Sequence, residues 1–283
     1  MGFSYPIIIN KSNYESGSTF VYKFGRSVDM SDISIALGSI SLFYSWRNIT
    51  AAKANNSFQI IHPATGATNV TLTITLPDGG YEIADINDYI SYYLVTNGYY
   101  IQNSSTLEYT VYGELRVNPS TYSVEWVSYP VPTALPAGYT AGSAITFPAS
   151  ARGPQLTVTS AGFGNVIGFA SGASYPTTQQ SVATTTSSTL IPVLSDVQNV
   201  VIRLNSASNW YAPNGTILHS FGYGGVSYSQ LITNEPFELS YVPQQSGFRT
   251  ELRIQLCDQQ LRPLQILDTD VTIKLLLQKD EQK

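Results

Sequence analysis

The sequence has little charge and few residues that bind metals or form disulfides. Only 12% of its 283 residues are charged, about half the share typical of a soluble globular protein. It contains two histidines and one cysteine. A single cysteine excludes a disulfide within the chain, and two histidines with one cysteine cannot build a zinc site by themselves. We therefore expect neither a disulfide scaffold nor a bound metal.

A cluster of positive charge is also missing. The net charge is −5, and the 14 lysines and arginines are scattered along the chain. Because proteins bind nucleic acid by neutralising phosphates with basic residues, we expect no direct contact with nucleic acid. No apolar stretch approaches the roughly 18 residues of a membrane span, and the N-terminus lacks the basic segment of a secretory signal. We expect a protein kept inside a cell, without membrane insertion, until it joins a larger structure.

Familiar catalytic motifs are absent as well. The sequence contains no G-x-S-x-G elbow, H-E-x-x-H pair, Walker loop or G-x-G-x-x-G fingerprint. Cys257 lies in the alternating run "LRIQLC", which is typical of a buried, inert thiol. A carboxylate pair for glycoside hydrolysis would have to come from five glutamates that no spacing relates: Glu82, Glu108, Glu125, Glu235 and Glu251. We expect no enzymatic activity and no cofactor, and a hydrolase is the third hypothesis for function.

The chain is rich in tyrosine, threonine, serine and glycine, arranged in short alternating runs. There are 20 tyrosines, and aromatic residues make up 12% of the chain. In "NVTLTITLP" (69–77), apolar residues at every second position alternate with threonine, as in a half-buried strand. Similar runs recur along the chain, separated by turns. They predict roughly eight to eleven strands.

One segment has a helical period instead. Its apolar residues recur three and four positions apart: Ile83, Ile86, Ile90 and Leu94. The acidic residues near its start, Glu82, Asp85 and Asp88, suit the helix macrodipole, and no oxygen-rich calcium loop surrounds them. The sequence shows no βαβ alternation and no internal repeat. The fold candidates are therefore a double-sheet jelly roll or another β-sandwich.

Four segments carry a family resemblance. They are "GFASGASYP" (168–176), "VQNVVIRLN" (197–205), "NGTILHSFGYGGVSYSQLI" (214–232) and "LRIQLCDQQLRPLQILDTDVTIKLLLQ" (252–278). In this order they resemble the penton, or minor capsid, proteins of virophages and polinton-like viruses. The matching residues are Gly168, Phe169, Tyr175, Pro176, Asn205, Leu218, Phe221, Asp258, Pro263, Leu264, Leu267, Asp268, Val271 and Ile273. The Pro/Gly-rich residues 130–154 and the polar residues 177–190 do not align with that family.

The resemblance implies a single jelly-roll β-sandwich of two antiparallel sheets with one short helix. Residues 1–112 and 193–283 would form the jelly-roll core. Residues 113–192 would form an insertion between two of its strands, either loop-rich or a small β region. The implied function is that of a structural capsid protein, a homopentamer at the fivefold vertices of an icosahedral virion assembled inside the host cell. Its neighbours would be trimers of a double-jelly-roll major capsid protein.

Three aromatic residues in turn-rich segments are the candidate interface. Trp210 and Tyr211 lie in "NWYAPNG" (209–215), and Tyr223 lies in "FGYGG" (221–225). Rings in such segments are better placed for contact than for burial. The same three residues support the alternative function, a carbohydrate- or receptor-binding β-sandwich of the lectin or fibre-tip kind.

The last thirty residues carry the tightest alternation in the chain. Apolar residues alternate over 252–256 and again over 271–275. Between these runs, Asp258 and Asp268 are expected to cap backbone N–H groups, and Pro263 fixes φ in the turn. We predict that the two runs are the closing strands of the jelly roll and that the final strand belongs to its core.

Overall fold

The structure is a computed structural model and describes residues 4–210, 212 and 215–279. Its strands are β1 (Ser4–Ile9), β2 (Tyr14–Ser16), β3 (Thr19–Asp29), β4 (Ile33–Phe43), β5 (Ser57–Pro63), β6 (Asn69–Thr75), β7 (Ile101–Asn103), β8 (Tyr109–Thr110), β9 (Gly113–Asn118), β10 (Ser123–Ser128), β11 (Tyr139–Ala141), β12 (Gln155–Val158), β13 (Ala173–Tyr175), β14 (Thr184–Ser187), β15 (Asn199–Leu204), β16 (Ile217–Gly222), β17 (Leu231–Asn234), β18 (Val242–Pro243), β19 (Phe248–Cys257) and β20 (Thr272–Lys279). Its helices are α1 (Ile83–Thr96) and α2 (Ala161–Ile167).

The chain divides into two compact units. Unit 1 comprises Met1–Trp46 and Val197–Lys283, and unit 2 is Arg47–Asp196. The insertion therefore begins at Arg47, well before the predicted boundary at residue 113. The strands on both sides of Trp46 have the same alternating pattern, and that pattern does not show which strands pair.

Unit 1 is a jelly roll by its strand order alone. One sheet has the order β1-β20-β4-β17, with β18 beside β4, and the other has the order β16-β15-β19-β3-β2. The eight principal strands pair in a nested way, first with last: β1 with β20, β3 with β19, β4 with β17, and β15 with β16. This nested antiparallel pairing defines the jelly roll and confirms the predicted all-β fold class.

The core of unit 1 takes side chains from both sheets. Fully buried residues such as Phe20, Ile254 and Ile273 belong to one apolar cluster. The final strand β20 lies between β1 and β4, so its alternating apolar residues are in the core, as the sequence predicts. Lys274 pairs with Ser39 and Leu275 with Leu37, which leaves the intervening glycine of β4 as a bulge.

Unit 2 has three small sheets and both helices. The sheet orders are β13-β12-β5-β6, β14-β10-β9 and β11-β7-β8. Trp126 of β10 and Phe58 of β5 are completely buried in its main core, and the Phe58 ring stacks on that of Phe163 in α2 at 4.4 Å. Helix α2 is a second helix, where the sequence predicts only one. Its Ser160 side chain accepts from the Phe163 N–H, which is the usual cap at a helix start.

Helix α1 buries the face that its spacing predicts. Ile83, Ile86, Ile90 and Leu94 are its buried residues. At its start, the Asp85 carboxylate accepts a 2.7 Å hydrogen bond from the Glu82 N–H, so this acidic residue caps the helix. Neither helix in the described part of the chain is long and apolar enough to cross a membrane.

Two tyrosines of α1 contact the outer edge of the neighbouring sheet. The Tyr89 hydroxyl donates to the Thr75 carbonyl at 3.3 Å, and the Tyr93 hydroxyl donates to the Thr73 carbonyl at 3.2 Å. Both threonines belong to β6, the last strand of its sheet. Carbonyls that have no partner strand are therefore hydrogen-bonded by the helix.

The Pro/Gly-rich segment 130–154 is folded onto the rest of unit 2. Its strand β11 pairs with β7, and the N–H groups of Ala144 and Ile145 donate to the Gly98 carbonyl. At its end, the Arg152 guanidinium donates to the Thr68 carbonyl at 2.6 Å and to other carbonyls of the β5–β6 connection. Backbone hydrogen bonds thus hold a segment whose composition alone resembles a loose loop.

Candidate functional site

Unit 1 carries three strongly exposed aromatic residues. Trp210 lies between β15 and β16, Phe237 lies between β17 and β18, and Phe248 begins β19. Their exposed fractions are 88%, 102% and 74%. The register of β17 and β18 places Phe237 beside the middle of β4, at the edge of its sheet. Trp210 and Phe248 lie instead at one end of unit 1, because β15 and β19 are antiparallel and the β15–β16 connection lies at the same end as the start of β19. We call this surface the aromatic end.

The loops of the aromatic end are joined by backbone hydrogen bonds. The Ser208 N–H donates to the Pro243 carbonyl at 2.8 Å, and the Met30 N–H donates to the Gly247 carbonyl at 3.0 Å. Exposed aromatic side chains on loops that are fixed in this way suit contact with another protein, because little ordering is needed on binding.

The other two candidate interface residues lie differently. Tyr211 lies outside the residues that the structure describes. Tyr223 follows β16 directly, while Trp210 precedes that strand, so the two residues lie at opposite ends of unit 1. The half-buried Tyr223 ring packs edge-on against Tyr44 and Trp46, at 5.1 and 5.0 Å, and its hydroxyl donates to the Val197 carbonyl. Trp210 and Tyr223 therefore do not form one site.

Sequence reasoning missed Phe237 and Phe248. The segment "PFELSYV" (236–242) alternates like a strand, yet only its last residue is in one, β18. Phe248 is the first residue of β19, a strand that the sequence predicts. The alternating pattern does not show that the first residue of this strand is exposed. A proline immediately before Phe237 was the available signal for a loop.

The first matching segment of the family resemblance lies in unit 2. Gly168 ends α2 with φ of 76°, and a Cβ there would lie 2.4 Å from the Leu190 carbonyl oxygen. Phe169 is buried and its ring contacts that of Tyr175 at 4.7 Å. The Pro176 carbonyl accepts from the Gln155 amide at 2.7 Å. These residues shape the backbone and the core of unit 2.

The second and third segments lie in unit 1. The Asn205 side chain accepts from the Arg253 N–H at 3.0 Å, which ties the end of β15 to β19. Leu218 and Phe221 of β16 are buried in the jelly-roll core. All three residues therefore contribute to the fold of unit 1.

Asp258 forms the corner between the last two long strands. It is buried, and its Oδ1 accepts from the backbone N–H groups of Gln260 and Arg262, each at 2.9 Å. Its Oδ2 accepts from the Arg262 Nε at 2.6 Å. Pro263 lies in a bridge opposite Cys257, and beyond it the chain passes over the core.

The rest of this connection anchors the final strand. The backbone N–H groups of Leu267 and Asp268 both donate to the Ser45 hydroxyl at 3.1 Å. The Asp268 carboxylate accepts from the Asp270 N–H at 2.8 Å, as expected of turn chemistry. Leu264, Val271 and Ile273 are buried in the core, whereas Leu267 is half exposed.

The cysteine, the two histidines and Glu125 lie in environments that shift their pKa values. Burial raises the pKa of Cys257, as expected for an inert thiol. Burial lowers the pKa of His62 to about 4, and it lowers the pKa of His219 as well. Hydrogen bonds from Asn118 and Arg116 lower the pKa of the Glu125 carboxyl. Within the described ranges, no group of three or more His, Cys, Asp or Glu side chains could hold a metal ion.

The solved structures that are similar to this chain include the following two. A crystal structure of the mavirus penton protein is similar over 99% of this chain and 98% of its own, with a TM-score of 0.47 and 12% sequence identity. A chain in a cryo-electron microscopy structure of the Sputnik virophage is similar over 98% of both chains, with a TM-score of 0.42 and 12% identity. No protein-family model and no curated protein matches the sequence. One of these two structures is a penton protein.

Proposed function

We propose that this protein is a structural capsid protein, the penton of a virophage or polinton-like virus. It would close the fivefold vertices of the icosahedral shell and be part of the virion. The observation that carries the proposal is the complete jelly roll of unit 1. The segment 252–278, which carries most of the family resemblance, supplies both its closing strands and the buried Asp258 corner between them.

The chemistry of the surface supports an assembly role. Charged residues make up 12% of the chain, so like-charge repulsion between copies is weak. The aromatic end offers two apolar side chains, Trp210 and Phe248, on segments that are already fixed. Burial of each such side chain in a contact contributes about 1.5–3 kcal/mol. A structural role also accords with the burial of the single cysteine.

A fivefold ring requires contacts in which one surface patch meets a different patch on the next copy. Unit 1 has different surfaces at its two ends, because the aromatic end carries Trp210 and Phe248 and the other end carries the half-buried cluster around Tyr223. We propose that the aromatic end contacts neighbouring chains of the shell, either the next copy or the double-jelly-roll major capsid protein.

The assembly proposal is tested on the purified full-length chain. We expect five-membered rings in negative-stain micrographs and a light-scattering mass five times that of one chain. After co-expression with the major capsid protein, we expect the chain in purified particles. A protein that stays monomeric at high concentration and never enters particles would refute the proposal.

A pair of variants tests the aromatic end. Trp210→Ser combined with Phe248→Ser removes two exposed rings and should abolish ring formation or entry into particles. Tyr92→Ser is the control, because Tyr92 is exposed on α1 of unit 2. Both proteins should fold. Loss of assembly in both variants, or in neither, would show that the aromatic end is not the contact surface.

A further inference from the structure

Unit 2 contains an open groove between two chain segments. One wall is the β9–β10 turn with the start of β10, residues 118–123, and the other is the chain that ends and follows β14, residues 187–192. The groove has a volume of about 580 Å³. This volume falls in the range of pockets that bind small molecules, roughly 300–1,000 Å³.

The two walls are held in place by hydrogen bonds beneath them. The Ser188 hydroxyl accepts from the Val124 N–H at 3.1 Å, and the Ser188 N–H donates to the Val124 carbonyl at 2.7 Å. On the other wall, the Asn118 amide donates to the buried Glu125 carboxylate at 2.8 Å. The groove is therefore formed before any ligand arrives, which lowers the ordering cost of binding.

Hydroxyl groups of the groove retain hydrogen-bonding capacity. Within the described part of the chain, the hydroxyls of Tyr122 and Thr189 have no protein partner. The Thr121 and Ser123 hydroxyls lie 2.7 Å apart. In such a pair one hydroxyl donates to the other, so one proton and several lone pairs remain available. The groove can both donate to and accept from a ligand.

Tyr122 stands at the rim in a strained backbone conformation. Its φ is 53°, and its side chain is 81% exposed. A non-glycine residue in the left-handed region costs roughly 1–2 kcal/mol. Burial of the Tyr122 ring does not offset this strain, because the side chain is mostly exposed. On the opposite wall, Ile191 is 86% exposed. The rim therefore presents an aromatic and an aliphatic face to solvent.

The residues that line the groove favour a neutral ligand over a charged one. None of the ten residues that line the groove is charged. An anionic ligand would find no cation in this lining, and a cationic ligand would find no carboxylate. A neutral ligand with many hydroxyls and apolar C–H faces fits both the hydrogen-bonding groups and the exposed rings.

We propose that this groove binds a neutral carbohydrate, with Tyr122 stacking on a sugar ring and Thr189 hydrogen-bonding to its hydroxyls. The proposal is independent of the capsid role, because none of the groove residues belongs to unit 1. It assigns a surface-recognition function to unit 2 at a place that the sequence shows only as a turn and a polar loop.

The test uses the full-length protein on an array of neutral, sialylated and sulfated oligosaccharides, followed by saturation-transfer NMR on the best neutral binder. Tyr122→Asn removes the ring and replaces it with a residue that tolerates positive φ, so the fold should be unaffected. We expect at least a tenfold loss of affinity in Tyr122→Asn and a smaller loss in Thr189→Val. Tyr92→Asn, which removes a different exposed ring of unit 2, should bind like the wild type.

Three results would overturn the proposal. They are no binding to any neutral glycan at millimolar concentration, binding only to anionic glycans, and wild-type affinity in Tyr122→Asn. Ring formation and particle entry are measured on the same variants. A variant that loses glycan binding but still assembles separates this proposal from the capsid role.

Discussion

The side-chain amide of Asn48 donates to the backbone carbonyl of Leu194 at 2.8 Å, across 146 positions in the chain. The same amide donates to the Tyr81 carbonyl at 2.7 Å and accepts from the Tyr81 N–H at 2.9 Å. Near them, the Lys53 ammonium pairs with the Asp196 carboxylate at 2.8 Å. The first and last segments of unit 2 are therefore fastened to each other, which lets a long insertion fold as a compact unit.

Asn48→Ala should destabilise unit 2 by about 3 kcal/mol, because three half-buried backbone groups lose their partner. Hydrogen-exchange mass spectrometry of peptides from residues 47–196, with increasing denaturant, measures this change. Asn56→Ala is the matched control. Its half-buried amide makes one bond, to the Leu76 carbonyl at 3.1 Å, so the loss should be about 1 kcal/mol. Equal losses of stability in the two variants would contradict the proposed role of the Asn48 hydrogen bonds.

His62 should make unit 2 less stable in acid. Burial lowers its folded pKa to about 4, below the unfolded value of about 6.5. The folded state thus disfavours the proton, so stability is complete above pH 6.5 and falls as the pH drops towards 4. The loss approaches about 3 kcal/mol. In His62→Asn, which keeps a donor for the Pro63 carbonyl, this part of the pH dependence should vanish from denaturant titrations at pH 7 and 4. If stability depends on pH in His62→Asn as it does in the wild type, His62 is not the cause.

Gly168 and Gly172 provide a matched pair of substitutions. Both have positive φ, of 76° and 79°, so alanine is strained at either position. At Gly172 a Cβ meets nothing within 4 Å, whereas at Gly168 it would lie 2.4 Å from the Leu190 carbonyl oxygen. We expect Gly172→Ala to cost about 1 kcal/mol and Gly168→Ala about 3 kcal/mol or more. Thermal unfolding of the two variants gives the comparison, and similar melting temperatures would refute it.

The final strand should be essential for unit 1. Deletion of residues 270–283 removes a strand from the middle of a sheet and should prevent folding of the jelly roll. Leu275→Asn tests the same point with one side chain, because Leu275 is fully buried and the change should cost about 3–5 kcal/mol. Thr272→Asn places the same residue at an exposed position of β20 and should be nearly neutral. Circular dichroism and soluble yield provide the readout, and a soluble, assembling truncation would overturn the prediction.

Local patterns predicted the elements of this fold well. The three- and four-residue spacing of Ile83, Ile86 and Ile90 identified α1, and the alternation over 271–275 identified the final strand β20. Both signals arise within a few residues, where backbone geometry and solvent exposure act directly. The Asp258 corner was predictable for the same reason, because its carboxylate caps N–H groups two and four residues away.

Long-range relations were not predictable from the sequence. The insertion boundary at Arg47 depends on Asn48 meeting Leu194, and a strand in either unit shows the same alternation. The exposure of Phe237 and the half-burial of Tyr223 depend on how the connections of unit 1 pack against its sheets. The groove has walls from residues 118–123 and 187–192, and neither wall is distinctive without the other.

The hydroxyls of Tyr89 and Tyr93 have a consequence for solubility. An exposed sheet edge is a template on which a second chain can add a strand, and many proteins block it with lysine. Here β6 is blocked by phenol groups on its own carbonyls, without any added charge. Replacing both tyrosines with phenylalanine would keep the ring packing, but it would leave the β6 edge open to strand addition and aggregation. A chain with so few charges thus keeps one route to uncontrolled fibre growth closed while its other surfaces stay available for ordered assembly.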